Sequence, residues 1–506
     1  MVGFKNCPKS IFLTQRWNNL AAIFGKLSSS LTKNISQKVD LMLNFHAQEL
    51  ATLDKLWQQD GVKISIVAGK RKMGKTTLLQ EFAQDKPTVF FKASELTPRF
   101  NLLNLNRAIE NAGFLGPSPN LPTIGETLTF IWRAAEKEKM LFVIDDFQHL
   151  IKVDQSLTAI ITKLQMTYRT SNLLLVLSTR APGYLTRDLV DKKSLLGSAT
   201  KIILKPLDFF DSCKLFKTRT LELLVLIYAV FGGMPHTLEY MDEDRNIKEN
   251  IIEHYLQPES SLHELAHNIL RDEFPEIAKY VSVLIALAQH KLRRKEITEY
   301  IDAPTDIANH MTQLLTSDLV ERFTIFRQGD GRFTAHFIKL PFLNFFFRYI
   351  PFFYNDIFQH NISHPLNEIL ADLRIYRDFI FKKICLEWCK RQSGTEGLPM
   401  LINSVQIAKD LNYNTANETP FDFALLSRLD TKVFCKCIWR ERLVDLATLK
   451  ALLKADLTDK KDAPPYYLLF ANDDFKADCK RYAHDNPYVR LITLPMMFAE
   501  FGPKPY

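Results

Sequence analysis

The sequence predicts an α/β chain built on a parallel sheet, and three observations predict it. Short apolar runs alternate with longer segments of helical periodicity through the first part of the chain. One of those runs opens into a turn rich in glycine and lysine, and another ends in two adjacent aspartates. A strand buried on both faces reads as a nearly unbroken apolar run, which is the pattern of Lys63–Ala68, Thr88–Phe91, Leu141–Asp145, Leu173–Ser178 and Ile202–Leu204. Leu50, Leu53 and Leu56 keep helical spacing ahead of the first strand. These elements place an α/β unit at 42–205.

Gly69, Lys70, Arg71, Lys72, Met73, Gly74, Lys75 and Thr76 satisfy GxxxxGK[ST], with Thr77 following inside the next helix. Between a strand and a helix, such a loop turns its backbone N–H groups onto a phosphate at a helix N-terminus. The loop implies ATP as ligand, with Lys75 set against the β- and γ-phosphates and the Thr76 hydroxyl on a magnesium ion. Asp145 and Asp146 close the strand Leu141–Asp145, where a second group for Mg2+ and a water-polarising base belong. Asp145 is expected to serve the metal and Asp146 the water, although an acid at a strand end is also often merely solvated. Ser178 and Thr179, at the end of Leu173–Leu177, are candidates to sense the γ-phosphate.

Past Pro206 the strand signal stops, and helical segments run through Phe231-Gly-Gly-Met-Pro235 to Phe274, a helical lid at 206–275. A helix at Val281–Gln289 leads into Arg294–Tyr300, Thr305–Leu315, Leu319–Ile325 and Arg332–Phe337, the order of a winged helix at 276–350. Asp330-Gly331 supplies the positive φ of its hairpin. Asn361–Pro365 reads as a break before a last α/β unit at 365–506, with a helix near Tyr376–Arg391, strands near Phe421–Ser427 and Lys432–Trp439, a helix near Leu443–Leu453 and a strand at Tyr466–Phe470.

With 506 residues, 46% hydrophobic and 24% charged, the chain is long enough for three or four separately packed units. Its formal charge of +8 permits nucleic-acid contact without requiring it. Seven cysteines without paired CxxC units argue for a reducing cytoplasm rather than a disulfide framework. The apolar stretch Phe337–Tyr354 is interrupted by Lys339, Pro341, Asn344, Arg348 and Pro351, so it reads as buried aromatic core and not as a membrane span. Residues 1–41 hold six Lys or Arg and one acid, Asp40. They read as a basic extension without fixed structure ahead of a start at Met42, or as a targeting segment.

The loop, Val143-Ile-Asp-Asp-Phe-Gln148, Leu207-Asp-Phe-Phe210 and Tyr228-Ala-Val-Phe-Gly-Gly-Met-Pro235 together resemble the archaeal-type ATPases, STAND-like relatives of the AAA+ class in which a winged helix and a nuclease-like domain follow the ATPase. The resemblance spans 42–506. It implies an α/β P-loop NTPase with parallel sheet, then a helical lid, winged helix and C-terminal α/β restriction-endonuclease-like domain, and it places Gly233 and Pro235 at the border of the adenine. Two departures bear on hydrolysis. Asp146 stands where the family has glutamate, and Leu195-Leu-Gly-Ser198 replaces a Leu-Tyr-Gly-Arg pattern, so an arginine facing the γ-phosphate is missing and turnover is expected to be slow.

In the same resemblance the C-terminal unit corresponds to a PD-(D/E)XK nuclease, whose acids hold a metal on a phosphate. Lys382 takes the place of the helix glutamate, Asp422 keeps the strand aspartate, and Lys436 and Ile438 replace the Glu-x-Lys pair. Two ammonium groups for two carboxylates repel a divalent cation, so this unit is expected to be inactive as a nuclease; the lysines suit a metal-free phosphate or simply face water. Cys385, Cys389, Cys435 and Cys437 have facing spacings, but their pattern matches core packing better than zinc. DNA could be met by Arg293, Arg294 and Lys295 with Arg322, Arg327 and Arg332 on the wing, unless the winged helix packs within the chain. Three functions are therefore in view: a nucleotide switch, possible as a homo-oligomer; a DNA-processing enzyme; and a scaffold in which nucleotide is structural.

Overall fold

The computed structural model describes residues 45–116, 121–184, 199–218, 220–302, 307–325, 333–408, 420–428, 431–454 and 464–502. The N-terminal extension, Ser198, the Asp330-Gly331 turn, Arg327 and Arg332 lie outside them. No described helix is long and apolar enough to cross a membrane.

The first layer is a five-stranded, all-parallel sheet in the order β2-β3-β4-β1-β5. Helix α1 (Ala47–Trp57) precedes β1 (Lys63–Ala68), which runs through the glycine loop into α2 (Lys75–Ala83). Next come β2 (Thr88–Lys92), α3 (Pro98–Ala112), α4 (Ile124–Ala134), β3 (Met140–Asp145), α5 (Leu157–Thr167), β4 (Leu173–Thr179) and β5 (Thr200–Ile203). Strands β3 and β4 are buried at every position, as unbroken apolar runs require. Because β4 lies between β1 and β3, the loop and the two aspartates reach the same sheet edge across the end of β4.

Helices α6 (Phe209–Cys213), α7 (Leu221–Phe231), α8 (Pro235–Leu238), α9 (Ile247–Tyr255) and α10 (Ser261–Glu273) follow. Then α11 (Ala278–Ala288), α12 (Arg294–Tyr300), α13 (Ala308–Thr316) and the hairpin β6 (Val320–Ile325) and β7 (Phe333–Ile338) take the order read from the sequence. The aromatic stretch becomes α14 (Pro341–Tyr349), in which Phe342, Phe345, Phe346 and Phe347 are fully buried.

Two readings need correction. The break at Asn361–Pro365 is the start of a 30-residue helix, α15 (Ser363–Gln392), which begins well before Tyr376. Pro365 sits in its first turn, where the missing N–H has no intrahelical acceptor to lose. The hairpin also does not stand alone. Thr324 and Ile325 of β6 pair in parallel with Gln406 and Ile407 of β8 (Ile402–Ile407), giving a seven-stranded mixed sheet β12-β11-β10-β9-β8-β6-β7. Its other members are β9 (Phe423–Ser427), β10 (Lys432–Ile438), β11 (Tyr466–Ala471) and β12 (Val489–Thr493), with α16 (Leu446–Leu453), α17 (Ala477–Asp485) and α18 (Leu494–Phe501) between and after them. One apolar cluster runs without interruption from the α2 face of the first sheet through α7 and α14 to α15 and β10.

Candidate functional site

At the carboxyl edge of the first sheet the loop bends through two left-handed residues, Lys72 (φ 64°) and Gly74 (φ 82°). Glycine carries the second of these without a Cβ penalty. Gly74 then heads α2 with no side-chain cap, so the first N–H groups of that helix face the loop. Gly69 packs on Leu204, which would sit 3.1 Å from a Cβ placed there. Met73 is buried beneath the loop, and His46, a residue the sequence did not single out, has its Nε2 3.8 Å from the Cβ position of Gly74. Burial pushes His46 below the usual histidine range, against the neighbouring Glu49 charge, so it meets the loop as a neutral ring. Thr77 lies on α2, half-buried, one residue past the motif.

Lys75 is buried, and its ammonium donates to the carbonyls of Gly69 (2.7 Å) and Lys70 (2.9 Å). Burial lowers its pKa to about 8, against the opposing pull of Asp146 and Asp145. A desolvated cation whose hydrogen bonds go to carbonyls is suited to an incoming anion. The Thr76 hydroxyl donates to Asp145 Oδ2 at 2.8 Å, and Ser178 Oγ donates to Asp145 Oδ1. Two hard oxygen donors from the loop helix and the acid strand thus meet at one point, the donor chemistry that Mg2+ takes. Thr179 is buried and its hydroxyl accepts from the N–H of Ala181 (3.2 Å), so at this strand end Ser178 faces the acids and Thr179 turns the chain.

Asp146 adopts a left-handed backbone (φ 58°), with its N–H donating to Ser178 Oγ (2.9 Å). Its carboxylate is gripped by Arg180 through two bonds, Nε to Oδ1 at 2.6 Å and a second to Oδ2. The guanidinium thus occupies both carboxylate oxygens of Asp146. Arg180 is a residue of the candidate site that sequence reasoning missed. Its signal was its position, the first cation beyond a strand that lies beside the acid strand.

The loop also reaches out of its own unit. Lys70 Nζ donates to the carbonyl of Ser317, between α13 and β6, at 2.8 Å. Arg71 pairs with Asp272 of α10 through Nε (3.0 Å) and a terminal nitrogen (2.8 Å). Lys70 is deeply buried, which lowers its pKa; Asp318 and Glu273 pull the other way. Gly183 fits against the same junction, for a Cβ there would come within 2.7 Å of Glu273 and 2.8 Å of Ser317.

Gly233 and Pro235 lie at the start of α8. The Gly233 carbonyl accepts from the N–H of Leu207 at 2.8 Å, and a Cβ would overlap the Leu207 oxygen at 1.7 Å, which explains the glycine. Pro235 opens α8 at a position that needs no N–H. They connect to the loop through Leu207 and Leu204, the latter packed on Gly69. In the C-terminal sheet Lys382, Asp422 and Lys436 do meet. Lys382 Nζ lies 2.9 Å and Lys436 Nζ 3.7 Å from Asp422 Oδ1, while Oδ2 accepts from the N–H of Cys437 at 2.8 Å. Cys385, Cys389, Cys435 and Cys437 are buried between α15 and β10, with thiols of Cys385 and Cys437, and of Cys389 and Cys435, within hydrogen-bonding reach. Burial raises the Cys385, Cys435 and Cys437 thiols above their ordinary range.

No family model matches the chain. It is similar to an uncharacterized protein of Methanocaldococcus jannaschii, with 25% identity over 368 residues covering 70% of this chain and 78% of that one. Among solved structures it is similar to a Walker-type ATPase of Pyrococcus abyssi (18% identity, 60% of this chain and 95% of that chain, TM-score 0.46) and to the Orc2 protein of Aeropyrum pernix solved in ADPNP and ADP complexes (13%, 63% and 95%, TM-score 0.38). The glycine loop on β1, the acid pair ending β3, and the parallel order that sets β4 between them make residues 63–203 a P-loop NTPase fold.

Proposed function

We propose that the chain is an archaeal-type P-loop ATPase that works as a slow nucleotide-dependent switch, with its glycine loop as the sensor. Lys75 and the backbone N–H groups heading α2 would hold the ATP phosphates, and Thr76 and Asp145 would hold Mg2+, which neutralises phosphate charge when bound. One observation carries the reading: the same loop that takes the phosphates is tied by Lys70 to Ser317 and by Arg71 to Asp272. An anion arriving at the loop competes for both cations, so phosphate binding and the docking of α10 and the α13–β6 turn oppose one another. The Arg180 grip on Asp146 supports slow turnover, because both carboxylate oxygens are engaged and neither faces a water freely.

The DNA-processing reading finds less support. Helix α13, placed where a winged helix reads a groove, carries no lysine or arginine, and its end is turned to Lys70. The sole matched acid of the nuclease-like motif, Asp422, is occupied by lysines. The test of the switch is Asp272→Asn in the full chain. Loss of the Arg71 pair should tighten ATP about five- to twenty-fold by calorimetry, and should let ATP expose the α10–α13 region to limited proteolysis at lower concentration. Unchanged affinity with unchanged cleavage would show that the loop contacts are not coupled to the nucleotide.

A further inference from the structure

A half-open cavity of about 190 Å³ lies where the segment after β5, the β6–β7 hairpin, α15 and the β8–β9 strands come together. It is lined by none of the loop residues. Its walls are Phe323, Phe337, Phe379, Leu386, Ile407 and Phe423. The polar groups that reach it are nearly all engaged elsewhere. Glu387 accepts from Tyr228 Oη (2.8 Å) and from the N–H of Phe209 (3.0 Å). Lys383 donates to the Ile338 carbonyl (2.8 Å), Lys339 pairs with Asp318 (2.6 Å), Lys382 with Asp422 (2.9 Å), and Asp208 with Arg391 (2.5 Å). A polar ligand would find no free partner inside, whereas apolar surface is available on several sides. At the rim stand two exposed lysines, Lys205 and Lys390, neither of which is ion-paired or hydrogen-bonded among the described residues.

We infer that this cavity binds an apolar monoanion, a molecule with a hydrocarbon or aromatic body in the Phe337–Phe379–Phe423 pocket and a carboxylate between Lys205 and Lys390. Apolar burial supplies the affinity, and the two rim ammonium groups select charge and fix orientation. The cavity is lined by the segment leaving the first sheet, by α15 and by the seven-stranded sheet, so an occupant touches all three. The positions of the lysines exclude a cationic amphiphile of the same shape, and the filled hydrogen bonds of Glu387 and Lys383 exclude a sugar-like body.

The experiment is calorimetric titration of the full chain with decanoate and with 1-naphthoate, below their aggregation thresholds, against decyltrimethylammonium as control. Saturable one-to-one binding of either carboxylate, without comparable binding of the cation, is expected; which of the two binds tighter tells an acyl from an aromatic ligand. Lys205→Glu with Lys390→Glu should weaken it roughly ten-fold or more, since both charges lie at the surface and are reversed. Leu386→Trp, which fills the cavity, should remove saturable binding while melting and circular dichroism stay near those of the parent. Absence of saturable binding, equal binding of the cation, or carboxylate binding untouched by the rim charges would each overturn the assignment. The rim variant decides the matter even if Leu386→Trp does not fold.

Discussion

The molecule holds two clusters in which lysines and aspartates meet at the edge of a sheet, and they are built to opposite ends. At the first sheet Asp145 is bonded by hydroxyls, Thr76 and Ser178, while Lys75 rests on carbonyls. Lys75 and Asp145 are kept apart, so each still has a counter-charge to gain, while Asp146 beside them is already paired with Arg180. At the second sheet Asp422 is held by Lys382 and Lys436 directly, and the charges are spent on one another. The lesson is that residue types do not make an ion site; what matters is whether their charges have already been compensated.

The largest expected effect is at the uncompensated cation. Lys75→Ala should weaken ATP by at least about a hundred-fold with the fold intact, because it removes the charge placed against the phosphates; calorimetry checks it, and undiminished affinity would remove the basis of the proposed function. Next is the compensated acid. Asp422→Ala strands two lysines and an N–H in a buried site and should cost about 3 kcal/mol in urea unfolding. A loss below about 1 kcal/mol would mean that the lysines swing into water and that the cluster was never closed. The full chain with Mg2+ or Mn2+ should show no nuclease activity that Asp422→Ala removes.

A smaller, graded effect comes with pH. With the free Lys75 at a pKa of about 8, set chiefly by burial, the ammonium is fully present below that value and lost above it. Bound phosphates raise that pKa, so ATP binding takes up a proton above pH 8. Affinity should be flat from pH 6.5 to 7.5 as far as Lys75 is concerned, and should then fall by up to about ten-fold per pH unit. Lys75→Arg should remove that slope, and a slope that persists in this variant would assign it to another group. The smallest effect belongs to an exposed pair on α12, Lys295 with Glu299 at 3.8 Å. Lys295→Ala should change stability by less than about 0.5 kcal/mol.

The first sheet was legible because its strands are buried on both faces and therefore spell themselves as apolar runs; Lys63–Ala68 is β1 to the residue. Strand β8 was not, since Asn403 and Ser404 are exposed and its sequence, Ile402-Asn-Ser-Val-Gln-Ile407, carries too little apolar content to stand out. Its partner β6 lies far away in sequence, and no local pattern announces such a pairing. The short terminal elements α17, β12 and α18 went unread for a related reason, as α17 has a single buried residue, Cys479. At the site, Thr76 and Asp145 meet at one point as the motif implied, and Lys382, Asp422 and Lys436, which the resemblance aligned, also come together. Arg180, His46 and the outward reach of Lys70 and Arg71 were not legible, because each depends on what packs against the loop in three dimensions.

The pairing of Thr324 with Gln406 has a consequence for how the chain is made. The two residues are 82 positions apart, 406 minus 324, so β6 leaves the ribosome about 4 to 16 s before its partner at ordinary elongation rates. Through that interval the β6 edge offers unpaired N–H and C=O groups to any passing strand. Arg322, exposed on that strand, places a charge there and discourages intermolecular pairing. Synthesis slowed between the hairpin and β8 would lengthen the exposure, and the yield of soluble chain would then depend on translation speed in a stretch remote from the nucleotide site.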